Sequence, residues 1–192
     1  MHNMPGIPVG QFAIRPGAMM AAADQFDITV TGKGGHAAKP HECIDTTVVA
    51  AHIIVALQTI ASRNVDPMQQ VVVSVCTVQT DSTEHNVIPQ VVILKGTVRS
   101  MDPKVQDFVQ RRVIEIAEGT AHALGARAGV DYRRGYPVTV NTPENTAFAA
   151  EVASHLPNAR LVHVPAMGHV EDGLSQLDCL ERLVLDFLDR GS

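Results

Sequence analysis

Phe26-Asp27-Ile28-Thr29-Val30-Thr31-Gly32-Lys33-Gly34-Gly35-His36 is the stretch on which the fold turns. Its first six residues alternate apolar and polar, the two-residue period of a strand with one buried face, and the glycines then end it. Outward from there, Val49, Ile53, Ala56, Leu57 and Ile60 return every three or four positions, which predicts a helix from an Asp45 cap to about Arg63. Asn64-Val65-Asp66-Pro67 breaks that pattern. Val71 to Val78 is uncharged and β-branched, and after a polar loop to Asn86 a second such run, Val91 to Arg99, completes a predicted hairpin. Asp102-Pro103 opens a second helix, with a cap followed by a proline where its missing N–H costs nothing. The stripe Val105, Val109, Val113, Ile116 and Thr120 carries that helix to Gly125, and Ala126 to Arg134 alternates as a fourth strand ending at Gly135-Tyr136-Pro137.

The order β-α-β-β-α-β predicts an α+β domain over residues 24–137. It is the ferredoxin-like split βαβ arrangement, a four-stranded antiparallel sheet with both helices on one face. Residues 1–23, rich in proline and glycine and without a clear period, read as a connecting segment from a missing catalytic domain. Residues 138–192 read as a C-terminal α/β appendage: a helix from Thr142-Pro143-Glu144 to about His155, a strand from Arg160 to Val164, and a helix from Leu174 to Leu188.

At 192 residues, 45% of them hydrophobic, the chain can bury one ordinary core. A net charge of -5 gives no basic face to release counterions from phosphates, so nucleic acid is not an expected partner. No uncharged run reaches the roughly 20 residues of a membrane helix, and the N-terminus lacks the pattern of a secretory signal. A cytoplasmic protein with no membrane partner is the expectation. Cys43, Cys76 and Cys179 are an odd set with no paired spacing, which fits buried small side chains better than a disulfide framework or a thiolate zinc site.

Four strings in order carry a resemblance: His2-Asn3-Met4-Pro5, Gly32-Lys33-Gly34-Gly35-His36-Ala37-Ala38, Asn86-Val87-Ile88-Pro89 and Gly96-Thr97-Val98-Arg99. With the run Arg15 to Asp24, they resemble the aminoacylase and hippurate-hydrolase branch of the M20 metallopeptidases. The resemblance implies the lid and dimerisation domain of such an enzyme, a homodimer joined through the lid's sheet edge and a helix. It also implies a parent reaction in which two divalent metals, usually zinc, polarise an amide carbonyl and supply hydroxide.

In that family His2 matches a metal ligand, and His36 matches a histidine that reaches the other subunit's site to stabilise the oxyanion. Asn86 matches an amide donor to substrate, and Arg99 a fork for the substrate carboxylate. The family's Cys-x-His or His-x-Asp string and its Glu-Glu pair do not occur here, and one imidazole cannot hold a catalytic zinc. The expectation is therefore an incomplete metal site, no cofactor in this chain and no independent catalysis. Starting inside the His2 motif is what a truncation or a misplaced start would give.

The tail breaks the resemblance, because Met167-Gly168-His169-Val170-Glu171-Asp172-Gly173 departs from the family's string there. Leu156 to His169 looks more like the carboxyl end of an α/β-hydrolase, in which His169 would be the general base. No Gly-x-Ser-x-Gly elbow accompanies it, and Gly173-Leu174-Ser175-Gln176-Leu177 lacks the second glycine. His169, Glu171 and Asp172 are alternatively an adventitious metal site. On this reading two broken hydrolases meet near Ala153, as a natural fusion, a pseudogene product or an engineered chimera. The competing functional classes are a residual amidase or esterase using His36 or His169, and a small-molecule binding module.

Overall fold

The computed structural model describes residues 11–155 and 160–163. His2, His169 and the helix expected from Leu174 lie outside the described residues. The chain divides into two compact units: Ala21–Val138, and a second formed by residues up to Met20 together with those from Thr139 onward.

In chain order the described elements begin with β1 (Gln11–Ile14), β2 (Gly17–Met20), β3 (Ala22–Thr31), β4 (Gly35–His36) and α1 (Thr46–Thr59). A π-helical turn, Ile60–Asn64, extends α1, and β5 (Val71–Thr80), β6 (Val87–Ile88) and β7 (Val91–Ser100) follow. The order closes with α2 (Pro103–Ala123), β8 (Arg127–Tyr136), β9 (Thr139–Asn141), α3 (Pro143–Ser154) and β10 (Arg160–His163).

Within Ala21–Val138 the sheet order is β5-β7-β3-β8, and every neighbouring pair is antiparallel. This is the expected α+β, split βαβ topology, with the first strand central and the second at an edge. Alternation in β3 decides the faces: Ala22, Asp24, Phe26, Ile28 and Val30 are buried while Gln25, Thr29 and Thr31 are exposed. The register places Ile28 between Leu94 and Val130, so the in-phase residues of three strands form one apolar surface.

Onto it pack Val49, Ile53, Leu57 and Ile60 from the first helix and Val109, Val113, Ala117 and Ala121 from the second, all essentially inaccessible to water. Each large side chain buried this way contributes about 1.5–3 kcal/mol. α1 lies over the β5-β7-β3 side, and α2 over the β3 and β8 side. Thr46–Asn64 is by length and composition apolar enough to cross a membrane. Its Val49, Ile53, Leu57 and Ile60 face is nonetheless buried on the sheet, the pattern of a core helix.

The caps are those the sequence announces. The Asp45 carboxylate accepts from Thr47 N–H at 2.9 Å and Val48 N–H at 3.3 Å, and that of Asp102 from Lys104 N–H at 2.7 Å and Val105 N–H at 3.2 Å. Past α2, Gly125 takes φ +79, Gly125 N–H bonds His122 O and Ala126 N–H bonds Ala121 O, which satisfies the last carbonyls. β5 carries a bulge between Val75 and Thr77, so its pairing phase shifts at Cys76.

The second unit holds the expected helix and strand as α3 and β10, but differs from expectation before Ala23. Where a connecting segment is predicted before Ala23, β1 pairs in parallel with β10, and β2 pairs antiparallel with β9. The Asn141 amide donates to Arg15 O at 2.9 Å, 126 positions away, and the Thr142 hydroxyl caps α3 by accepting from Asn145 N–H at 3.2 Å. Strands of three or four residues show no period of their own. Their partners, distant in sequence, define them.

Candidate functional site

The predicted site residues within the described structure fall at two places. The first is the glycine turn that follows β3. A two-residue ladder joins it to the loop after β5, with Gly35 opposite Ile88 and His36 opposite Val87, and Ala37 N–H donates to Asn86 O at 2.9 Å. His36 and Asn86, fifty positions apart in sequence, thus stand side by side and exposed. Glycine is required for this approach: a Cβ on Gly34 would sit 2.8 Å from Ile88 O and 3.0 Å from Gln90 N. Below the turn, Lys33 and Ile44 exchange backbone hydrogen bonds, and the buried Thr46 hydroxyl donates to Pro89 O at 2.7 Å. A capped helix therefore supports the turn.

The His36 ring is oriented by its own backbone. Nδ1 accepts from Ala38 N–H at 3.1 Å, which in the neutral imidazole leaves the proton on Nε2 as an outward donor. An N–H donor of this kind can stabilise developing negative charge on a carbonyl oxygen.

Arg99 is at the other place. It lies on β7 between Ala23 and Val72, on the sheet face away from the helices, and its Nη1 donates to Thr97 Oγ1 and to Val98 O. Along β3, Ala23 opposite Arg99 and Thr31 before the turn are eight residues apart. At the strand rise this puts roughly 25–30 Å of β3 between Arg99 and the start of the turn that carries His36. Between them the face carries a charge ladder, Lys95–Asp27 at 3.6 Å, Arg133–Asp27 at 2.8 Å and Arg133–Asp131 at 3.1 Å. Such exposed pairs contribute about 0–1 kcal/mol each.

A buried polar knot went unnoticed in the sequence. Asp24 is 1% exposed, and its carboxylate accepts from Gln106 Nε2 at 2.9 and 3.0 Å, Tyr132 Oη at 2.9 Å and Gly135 N–H at 3.2 Å. Burial, then the hydrogen bond to Asp24 and its charge, push the Tyr132 phenol well above its ordinary value, against a smaller opposing effect of Arg134. The sequence did hold a signal: Asp24 is in phase with Phe26, Ile28 and Val30, so the strand period alone puts a carboxylate in the core.

Among the described residues no group of three or more His, Cys, Asp or Glu converges to hold a metal ion. The described residues thus do not form the ligand set of a two-metal centre.

Fold and site together define the class: an α+β domain with an open sheet edge, whose candidate site residues stand at opposite ends of the sheet rather than around one cleft. Residues 22–124 match the family described as the peptidase dimerisation domain, M20_dimer, and the chain belongs to that family. It is 39% identical over 153 residues to the N-acetyl-L-cysteine deacetylase of Bacillus subtilis strain 168, across 80% of this chain and 36% of that protein. It is 35% identical over 175 residues to the hippurate hydrolase of Campylobacter jejuni, across 90% of this chain and 45% of that protein. A crystal structure of the Bacillus subtilis YXEP protein, described as a dinuclear metal-binding peptidase of the M20 family, superimposes with a TM-score of 0.64 at 30% identity. That superposition covers 92% of this chain and 44% of the other. The chain spans less than half the length of these relatives.

Proposed function

We propose that this chain supplies the lid and dimer interface of an M20-type metal-dependent amidohydrolase acting on N-acyl amino acids or peptides, and does not catalyse hydrolysis alone. The observation that carries this reading is the span between Arg99 and the His36–Asn86 pair. An N-acyl amino acid is far shorter than roughly 25–30 Å, so one substrate cannot touch both ends within one copy. Two copies related by a twofold axis resolve this, because Arg99 of one and His36 and Asn86 of the other can converge on a single substrate. The carboxylate would pair with the arginine fork, and the amide oxygen would take hydrogen bonds from His36 Nε2 and the Asn86 amide. In the parent enzyme a divalent metal such as zinc polarises that carbonyl and activates water.

Pairing is supported by what the fold leaves open. β5 is the edge strand next to α1, and Val78 on β5 with Val48 and Val55 on α1 are 55%, 48% and 71% exposed. An uncharged edge strand flanked by an apolar helix side is a template for a second chain. The acidic composition and odd cysteine count support a cytoplasmic setting.

For the tail, the observations favour continuity with the M20 parent over a junction near Ala153. β10 pairs with β1, and a match covering 90% of the chain extends past that residue. Two measurements test the proposal. Light scattering of the chain is expected to give twice the monomer mass; a stable monomer overturns the interface. Assays with hippurate and p-nitrophenyl esters, with and without zinc, are expected to show no turnover. Clear turnover abolished by His36→Ala or His169→Ala would favour the residual hydrolase instead.

A further inference from the structure

We propose that Thr97 is a positioning residue for Arg99, holding the guanidinium by Nη1 so that its Nε–Nη2 edge is the one left to take a substrate carboxylate. The inference rests on the carboxylate-binding role given to Arg99 above. The Thr97 hydroxyl has one proton and two lone pairs, and the structure uses both kinds. It donates to Asp24 O at 2.8 Å and accepts from Arg99 Nη1. The second Nη1 proton is taken by Val98 O at 2.9 Å. With both Nη1 protons engaged, the guanidinium keeps its side-on edge, where Nε–H and one Nη2–H run parallel and match the spacing of two carboxylate oxygens.

The anchor at the far end of this chain of bonds is rigid. Asp24 sits on the central strand, paired on both sides, and its side chain is held by Gln106, Tyr132 and the Gly135 amide. The knot in the core and the arginine on the surface are thereby joined through one hydroxyl. The setting also favours an external anion. Directly opposite Arg99 on its two neighbouring strands are Ala23 and Val72, which offer no carboxylate. Asp27, on the same face, is already engaged by Lys95 and Arg133, and the Asp102 carboxylate caps α2.

The test is side-chain nitrogen NMR of the full chain, with the Arg99 guanidinium signals assigned by their loss in Arg99→Lys. In the unaltered chain the Nη1 protons are expected to rotate slowly and to resolve from those of Nη2. Thr97→Val, equal in shape but without the hydroxyl, is expected to collapse them into an averaged signal while the backbone amide spectrum of the sheet is retained. Thr97→Ser is expected to restore the resolved pattern. Hippurate titration then reads the consequence: the Arg99 Nε–H signal should shift in the unaltered and Thr97→Ser chains, and need about fivefold more hippurate in Thr97→Val. A Thr97→Val chain whose Arg99 signals remain resolved overturns the positioning role. Ordering lost in Thr97→Val with no hippurate response in any chain upholds that role and overturns only the carboxylate reading of Arg99.

Discussion

Asp24 shows how much one side chain can decide. A carboxylate in an apolar core is costly unless its oxygens are hydrogen-bonded, and here three groups from α2 and β8 supply four close contacts. Removing it would leave the buried Gln106 amide and the half-buried Tyr132 hydroxyl without this acceptor. Asp24→Ala is therefore expected to destabilise the fold by about 3–5 kcal/mol, measured by urea unfolding. A loss below about 1 kcal/mol would show that water takes over the role.

Tyr132 gives the same knot a pH signature. Its phenol is raised in the fold above the unfolded value near 10, so above about pH 10 the unfolded chain releases a proton that the fold retains. Stability contributed by the buried phenol is thus fully present below that pH and falls as pH rises past it. In a Tyr136→Phe chain, which leaves Tyr132 as the single tyrosine, the phenolate absorbance is expected to appear together with loss of the helical signal. Ionisation well before unfolding would contradict the burial.

At the scale of elements, the helices were legible because their signals are local. Asp45 and Asp102 begin α1 and α2, Gly125 follows α2, and the three- and four-residue spacing names the buried face of each. Asp102→Ala is expected to lower stability by about 1 kcal/mol through loss of two N–H acceptors at the start of α2, with little change in the urea dependence. The strands were legible in part. β3 and β7 alternate cleanly. In β5 the shift at Cys76 changes the phase midway, so Val78 pairs with Leu94 on the core face yet remains more than half exposed. Gly96 is explained by its partner rather than by its neighbours: it lies opposite Phe26, whose ring occupies the space that a Cβ would need.

For the whole molecule, the prediction concerns assembly. If Val55 and Val78 lie in a twofold interface, replacing both with lysine removes apolar contact and sets like charges against each other across the axis. The double variant is expected to weaken dimerisation by about tenfold or more, read by sedimentation, with the secondary structure intact. An unchanged dimer would place the interface elsewhere. Within one copy, the expected site residues divide between two ends of the sheet, which is the division the proposed shared site rests on.

Sequence alone determined the kinds and order of the long strands and helices in residues 22–124, which faces of β3, α1 and α2 are buried, and where both long helices begin. All of these follow from the three- or two-residue periods and end-capping chemistry that act between near neighbours in the chain. Tertiary structure decided that His36 meets Asn86, that Arg99 stands at the far end of the sheet, that Asp24 finds three donors, and that Gln11–Ile14 and Gly17–Met20 are strands. Those facts depend on hydrogen bonds between segments up to 149 positions apart, and no local period encodes which distant partner a short strand or a buried carboxylate will meet.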